Sequence, residues 1–204
     1  MRNNMKKLQN HKELFLMSVF AGLLIGIGGL VYLRVGGIVG AFLFAFGLSC
    51  VVMCEAQLFT GKAGFLKKNE LLRLLPILFY NVVGCILAGV ITMHSINQNI
   101  IENLTIIWAA RENSSSIVIT SIGTGIIMTL AVYGAKQKNY LPLILGVPTF
   151  ILSGLPHCIA DAYYYIVLTF MGKWSMDFVV VWSLAVIGNL IGCNIPRFFM
   201  DKKF

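Results

Sequence analysis

The sequence predicts an all-α polytopic membrane protein. Its six transmembrane helices form two inverted three-helix repeats, with helices two and five broken. Three observations carry this. The 204 residues are 58% hydrophobic and only 12% charged, with a mean hydropathy of +0.83, whereas globular domains carry about 25% charged residues. The apolar residues gather into six segments, near 14–33, 37–54, 74–93, 115–133, 141–170 and 178–199. Two of these contain a polar interruption, Cys54-Glu-Ala-Gln-Leu-Phe-Thr60-Gly-Lys62 and Ser153-Gly-Leu-Pro-His157-Cys-Ile-Ala-Asp161.

The first segment follows Arg2, Lys6, Lys7 and Lys12. Phe15 to Leu33 is long enough to span, and no small-residue cleavage site follows a short apolar core. It therefore reads as an uncleaved span behind a cytoplasmic tail of residues 1–13. The second segment opens with Gly36 and Gly40 and ends in the first break. The third carries Asn81-Val-Val-Gly-Cys85. Asn97 to Asn113 reads as a polar outer loop, with Trp108 as an interfacial anchor. The fourth segment holds Gly123-Thr-Gly125. The fifth exceeds one span of about 20 residues and contains the second break. The sixth carries Asn189-Leu-Ile-Gly-Cys193, an echo of the third. An odd number of spans per half inverts the second half, giving repeats of about 14–95 and 115–199 within one channel domain, 1–204. Glycines at helical spacing in spans one, two, three and six suit close helix approach.

The formal charge of +8 does not call for nucleic acid. With both termini cytoplasmic, the inner segments hold every basic residue except Arg34, Arg111 and Lys173, as the positive-inside rule expects. The predicted location is the cytoplasmic membrane of the cell, with the lipid bilayer as a partner. The five cysteines fall in or beside spans, where thiols act as small hydrophobes. His11 and His94 read as solvated or interfacial. No catalytic set, metal site or cofactor site is predicted.

Irregular backbone at membrane depth survives only where it lines a protein-enclosed or wet cavity, and paired broken helices mark a midplane site. That argues for transport. The motifs at the breaks are also specific. Leu58-Phe59-Thr60 and Ser153-Gly154-Leu155-Pro156-His157-Cys158-Ile159-Ala160-Asp161, with Tyr80-Asn81-Val82-Val83-Gly84 and Gly188-Asn189-Leu190-Ile191-Gly192, resemble the formate–nitrite transporter family over nearly the whole chain. The sequence departs from the family at Pro156, where a Glu is usual, and at Asp161, where an Asn is usual. An Asn usual in span four falls near Gly125. The basic residue before that span aligns with Ala109, and Arg111 is the nearest substitute.

The resemblance implies a homopentamer with one aquaporin-like pore per subunit, passing small monovalent anions of the formate, nitrite or hydrosulfide kind, together with a proton. His157 would act at mid-membrane, where an ionisable group marks a functional site by default. Its ordinary pKa of about 6.5 lets it exchange protons. Thr60 would hydrogen-bond the anion or the imidazole. Phe44, Leu48, Leu58, Phe59 and Phe150 would form apolar gates, and Met128 is a candidate lining residue from span four. Asp161, one turn past His157, would favour the imidazolium if it faces the ring and repel anions if it faces the lumen; alternatively it is protonated, or paired with a neighbouring backbone or side chain, and all of these stay open.

Each residue has a plainer role to set beside this. His157 could be a structural hydrogen-bonder, Thr60 a helix cap, and the aromatics core. Three other functions compete. A neutral small-solute pore lacks support from paired Asn-Pro-Ala boxes. An embedded thiol or histidine enzyme using His157, Cys158 and Asp161 lacks a second ligand at zinc spacing and a Ser/His/acid set. A non-conducting scaffold or sensor is the third.

Overall fold

The computed structural model describes residues 2–66, 68–112 and 115–200, without the side chains of residues 2–10, 68 and 69. Of the inner basic residues, Lys67, Lys202 and Lys203 lie outside the described residues. The chain is all-helical over the described residues. Its elements are α1 (Arg2–Val35), α2 (Gly37–Met53), α3 (Phe59–Ala63), a 3-10 turn (Lys68–Arg73), α4 (Leu74–Met93), α5 (Gln98–Glu112), α6 (Ile117–Lys136), α7 (Leu141–Leu152), α8 (Cys158–Phe170) and α9 (Met176–Met200).

Among the described residues, four stretches are long and apolar enough to cross a bilayer: His11–Val35, Glu70–Met93, Ile117–Lys136 and Met176–Met200. The shortest, at 20 residues, extends about 30 Å at 1.5 Å per residue. The remaining apolar helices, α2, α7 and α8, are shorter. They fall where the sequence predicted interrupted spans. Outward faces carry Ile38, Phe46, Phe79 and Ile119, a surface suited to lipid rather than water.

α1 packs along α4, and α6 along α9. Glycine makes both contacts close. A Cβ on Gly84 would run into the Val19 carbonyl, and one on Gly192 into the Ile122 carbonyl. α2 lies against α1 and α7, while α8 lies against α4.

The two breaks share one backbone course. α2 closes at Cys54, the chain turns through Glu55 at φ 53°, and α3 starts after Leu58. α7 closes at Ser153, the chain turns through Gly154 at φ 67°, and α8 starts after His157. Glycine takes a positive φ without penalty; a glutamate there costs about 1–2 kcal/mol.

The predicted outer loop is instead a helix, α5. Its start is capped by the Asn97 side chain, whose Oδ1 accepts from Ile100 N–H at 3.1 Å. Ile100 and Leu104 are fully buried, with Ile107 beside them, an i, i+4, i+7 face that a polar average conceals. Asn103 Nδ2 donates to the Leu33 carbonyl (2.8 Å) and Asn99 Nδ2 to that of Arg34 (3.2 Å), tying α5 over the end of α1. Trp108 packs edge-on against Tyr165 and Phe178, with ring centroids 5.4 and 4.5 Å away. These contacts give Trp108 a packing role on α5.

Candidate functional site

Two buried asparagines shape the breaks. Asn81 Oδ1 accepts from Phe59 N–H at 2.9 Å, and its Nδ2 donates to the carbonyls of Ser18 and Gln57, both at 2.8 Å. Asn189 Oδ1 accepts from Cys158 N–H at 2.8 Å, and its Nδ2 donates to the carbonyls of Ser121 (2.8 Å) and Pro156 (3.0 Å). Each amide thus satisfies the first N–H of a short helix and a carbonyl of the loop before it, groups that lipid could not satisfy. The following cysteines reach across. Cys85 Sγ donates to the Ile159 carbonyl and Cys193 Sγ to the Thr60 carbonyl, each at 3.4 Å. The echoed Asn-x-x-Gly-Cys therefore has a physical content: the asparagine secures one break and the cysteine touches the other.

His157 stands at the N-cap of α8, where its Nδ1 accepts from Ala160 N–H at 3.2 Å. Ser, Thr, Asp and Asn are the usual residues there. An accepting Nδ1 places the imidazole proton on Nε2, which lies 2.9 Å from Thr60 Oγ1, so the ring donates and the hydroxyl accepts. Phe150 stacks on the ring, with centroids 5.4 Å apart and planes inclined by 23°. Phe44 meets Phe150 edge-on at 6.2 Å. Thr60 and His157 are both buried, at 0 and 1% exposure, so the pair is closed to bulk water.

Two cavities lie near this pair. The larger, about 470 Å³, is lined by Leu48, Leu58, Glu55, Lys62, Lys136 and Tyr140 among others. The smaller, about 150 Å³, is lined by Tyr32, Arg111, Phe150, His157, Asp161 and Tyr164 among others. They share no residue. His157 belongs to the wall of the smaller, while Leu58, two residues before Thr60, belongs to the wall of the larger.

Asp161 pairs with Arg111. Arg111 Nε lies 3.4 Å from Asp161 Oδ2, and Nη2 donates to Oδ1 at 3.5 Å. Nη1 donates to the Gly154 carbonyl at 2.6 Å, inside the break that carries His157. Burial opposes the guanidinium's charge, but Asp161, with Tyr165 and Tyr164, outweighs it and raises the Arg111 pKa above its ordinary value. Both imidazole nitrogens are already engaged with Thr60 and Ala160, so the carboxylate is directed to the arginine.

Of the residues singled out in the sequence, Leu48 and Leu58 line the larger cavity, and Phe150, His157 and Asp161 the smaller. Phe44, Phe59, Thr60 and Met128 are buried and line neither. Sequence reasoning passed over Tyr32 and Tyr164 and gave Asn81 and Asn189 no task. A polar amide in mid-span was the available signal. Among the described residues, no group of three or more His, Cys, Asp and Glu side chains is placed to hold a metal ion.

A family model described as Formate/nitrite transporter matches residues 1–196. Among solved structures, the chain is similar to a pentameric formate channel with formate bound, at 20% identity over 95% of this chain and 97% of that one, with a TM-score of 0.82. It is also similar to an FNT family ion channel, at 16% identity over 95% of this chain and 92% of that one, with a TM-score of 0.77. At these identities the likeness to both structures is one of fold. A search of the curated proteins matched none.

Proposed function

The chain belongs to the formate/nitrite transporter family, and on that premise we propose a channel for small monovalent anions of the formate, nitrite or hydrosulfide kind, with a proton exchanged at His157. It is a multi-pass membrane transport protein rather than an enzyme. The observation that carries the reading is the buried Thr60–His157 hydrogen bond, with His157 in the wall of one cavity and Leu58, two residues before Thr60, in the wall of another.

In this reading the pathway runs from the lysine-bearing cavity past Leu48 and Leu58 to Thr60 and His157, then past Phe44 and Phe150 into the arginine-bearing cavity. Phe59 and Met128 back this wall. An anion crossing the apolar narrows loses its hydration, a cost that falls when it is paired or protonated. Thr60 accepts the imidazole proton, which leaves its own hydroxyl proton for the anion. The N-termini of α3 and α8 meet at this point and add positive partial charge. A proton on Nδ1 of His157 must displace the Ala160 N–H, forfeiting a helix cap of about 1 kcal/mol. The imidazolium is therefore the strained form, and it readily passes its proton to a weak-acid anion.

The matched asparagine and cysteine contacts support six spans in two inverted repeats, about 14–95 and 115–199. The pentameric assembly of the similar formate channel supports a homopentamer, with the exposed apolar faces turned to neighbouring subunits and lipid. The charge bias supports termini on the cytoplasmic side of the cell membrane, with the lysine-bearing cavity facing inward.

The test is stopped-flow flux of formate, nitrite and hydrosulfide into proteoliposomes at two pH values, with empty vesicles and His157→Asn as controls. Saturable flux, greater at lower pH and with an altered pH profile in the variant, is the expected result. A folded oligomer with no flux above empty vesicles rejects the proposal. Flux blind to charge and pH would replace it with a neutral-solute pore.

A further inference from the structure

We propose that Asp161 sets the two mouths of the pathway apart: it cancels the charge of Arg111 and so keeps anion affinity at that mouth well below what the arginine alone would give. This rests on the anion-channel reading above and adds a specificity-determining residue to it.

The charged side chains lining the larger cavity are Glu55, Lys62 and Lys136, two cations against one anion. Those lining the smaller cavity are Arg111 and Asp161, one of each. The two mouths thus differ by one net positive charge at the wall. The difference matters most at the smaller cavity, because Asp161 is only 1% exposed and its field is poorly screened by water.

Geometry points the same way. All three guanidinium nitrogens face protein oxygens: Nε lies 3.4 Å from Asp161 Oδ2, Nη2 donates to Oδ1 at 3.5 Å, and Nη1 donates to the Gly154 carbonyl at 2.6 Å. An arriving carboxylate finds this fork facing a carboxylate already. Asp161 has the chemistry of a tethered formate, paired with the cation that lines this cavity among the described residues. Arg111 then serves to hold the Gly154 turn, and hence His157, rather than to concentrate the cargo.

Asp161→Asn keeps the shape and an acceptor oxygen while removing the negative charge. Half-saturation for formate should be measured from each face separately, in spheroplasts and in inverted membrane vesicles, for wild type, Asp161→Asn, and Asp161→Asn combined with Arg111→Gln. Cancelling a charge within a few ångströms of the anion is worth roughly tenfold or more at an effective dielectric near 20. The expected result for Asp161→Asn is therefore a half-saturation at least about tenfold lower from the Arg111 face and unchanged from the lysine face. The double variant should return it to the wild-type range, since both charges are then gone. An unchanged value at the Arg111 face, or an equal shift at both faces, overturns the inference. If Asp161→Asn does not assemble, Asp161→Ser, which removes the same charge, must lower half-saturation at that face; an unchanged or higher value overturns the inference equally. Absence of flux in the wild-type arm is a different failure, one that removes the channel reading itself.

Discussion

Asn189→Leu offers the sharpest test of how the site is held. The substitution keeps the side-chain size and removes every polar atom of the amide. Three buried hydrogen bonds go with it, to Cys158 N–H and to the carbonyls of Ser121 and Pro156. At about 1 kcal/mol each they sum to about 3 kcal/mol, and a buried N–H left without a partner adds roughly 1–2 kcal/mol more. The expected loss is about 3–5 kcal/mol. Equilibrium unfolding in mixed micelles, followed by tryptophan fluorescence, would read it. Asn189→Asp should not rescue the protein, since a carboxylate cannot donate to the two carbonyls. The lost bonds flank His157 on both sides, so flux should fall in the molecules that remain folded. A stability loss below about 1 kcal/mol would refute the reasoning, and would mean that water or relaxed backbone satisfies the break.

Other expectations follow from the same geometry. Phe150→Ala removes the ring stacked on His157 and the edge contact to Phe44; flux of a larger monocarboxylate relative to formate should rise, and unaltered selectivity would remove Phe150 from the gate. The same variant should lose about 3–5 kcal/mol of stability in the micelle assay. Glu55→Gly relieves a positive φ while keeping the backbone carbonyl that accepts from Gln57 Nε2; it should stabilise the protein by about 1 kcal/mol, and a measured loss would contradict the strain. His157→Asn should flatten the pH dependence of formate flux with the oligomer intact, and an unchanged profile would deny the imidazole a proton role.

Much of this architecture was legible because membrane depth leaves the backbone few options. The segment near 74–93 became α4 at Leu74–Met93, and the one near 37–54 became α2 at Gly37–Met53. Both breaks fall where polar residues interrupt apolar runs. α5 was missed because its average polarity hid a single apolar face of Ile100, Leu104 and Ile107. The sequence placed His157 and Thr60 in the two breaks, where the fold brings them within hydrogen-bond distance; contacts that depend on a distant partner were less legible. For Asp161 the sequence leaves several settings open, a paired side chain among them, and the partner that the fold supplies is Arg111, 50 residues earlier on α5. Asn81 and Asn189 were visible as an echo. Their work is done on loop carbonyls and helix N–H groups that only the fold brings within reach.

The crossed cysteine contacts bear on where this molecule is able to move. Cys85 holds the carbonyl of Ile159 in α8, Cys193 holds that of Thr60 in α3, and Thr60 in turn meets His157. These are three ties across one seam, each joining a residue of the first half to one of the second. Sliding one broken helix past the other would strain all of them together, so the centre behaves as a keyed joint. In the proposed channel, any hinge that opens or shuts the passage would belong farther out, where Arg197 and Lys136 hold the turn after α3 through the Leu66 carbonyl and the Phe65 ring, and where Arg111 holds the turn after α7.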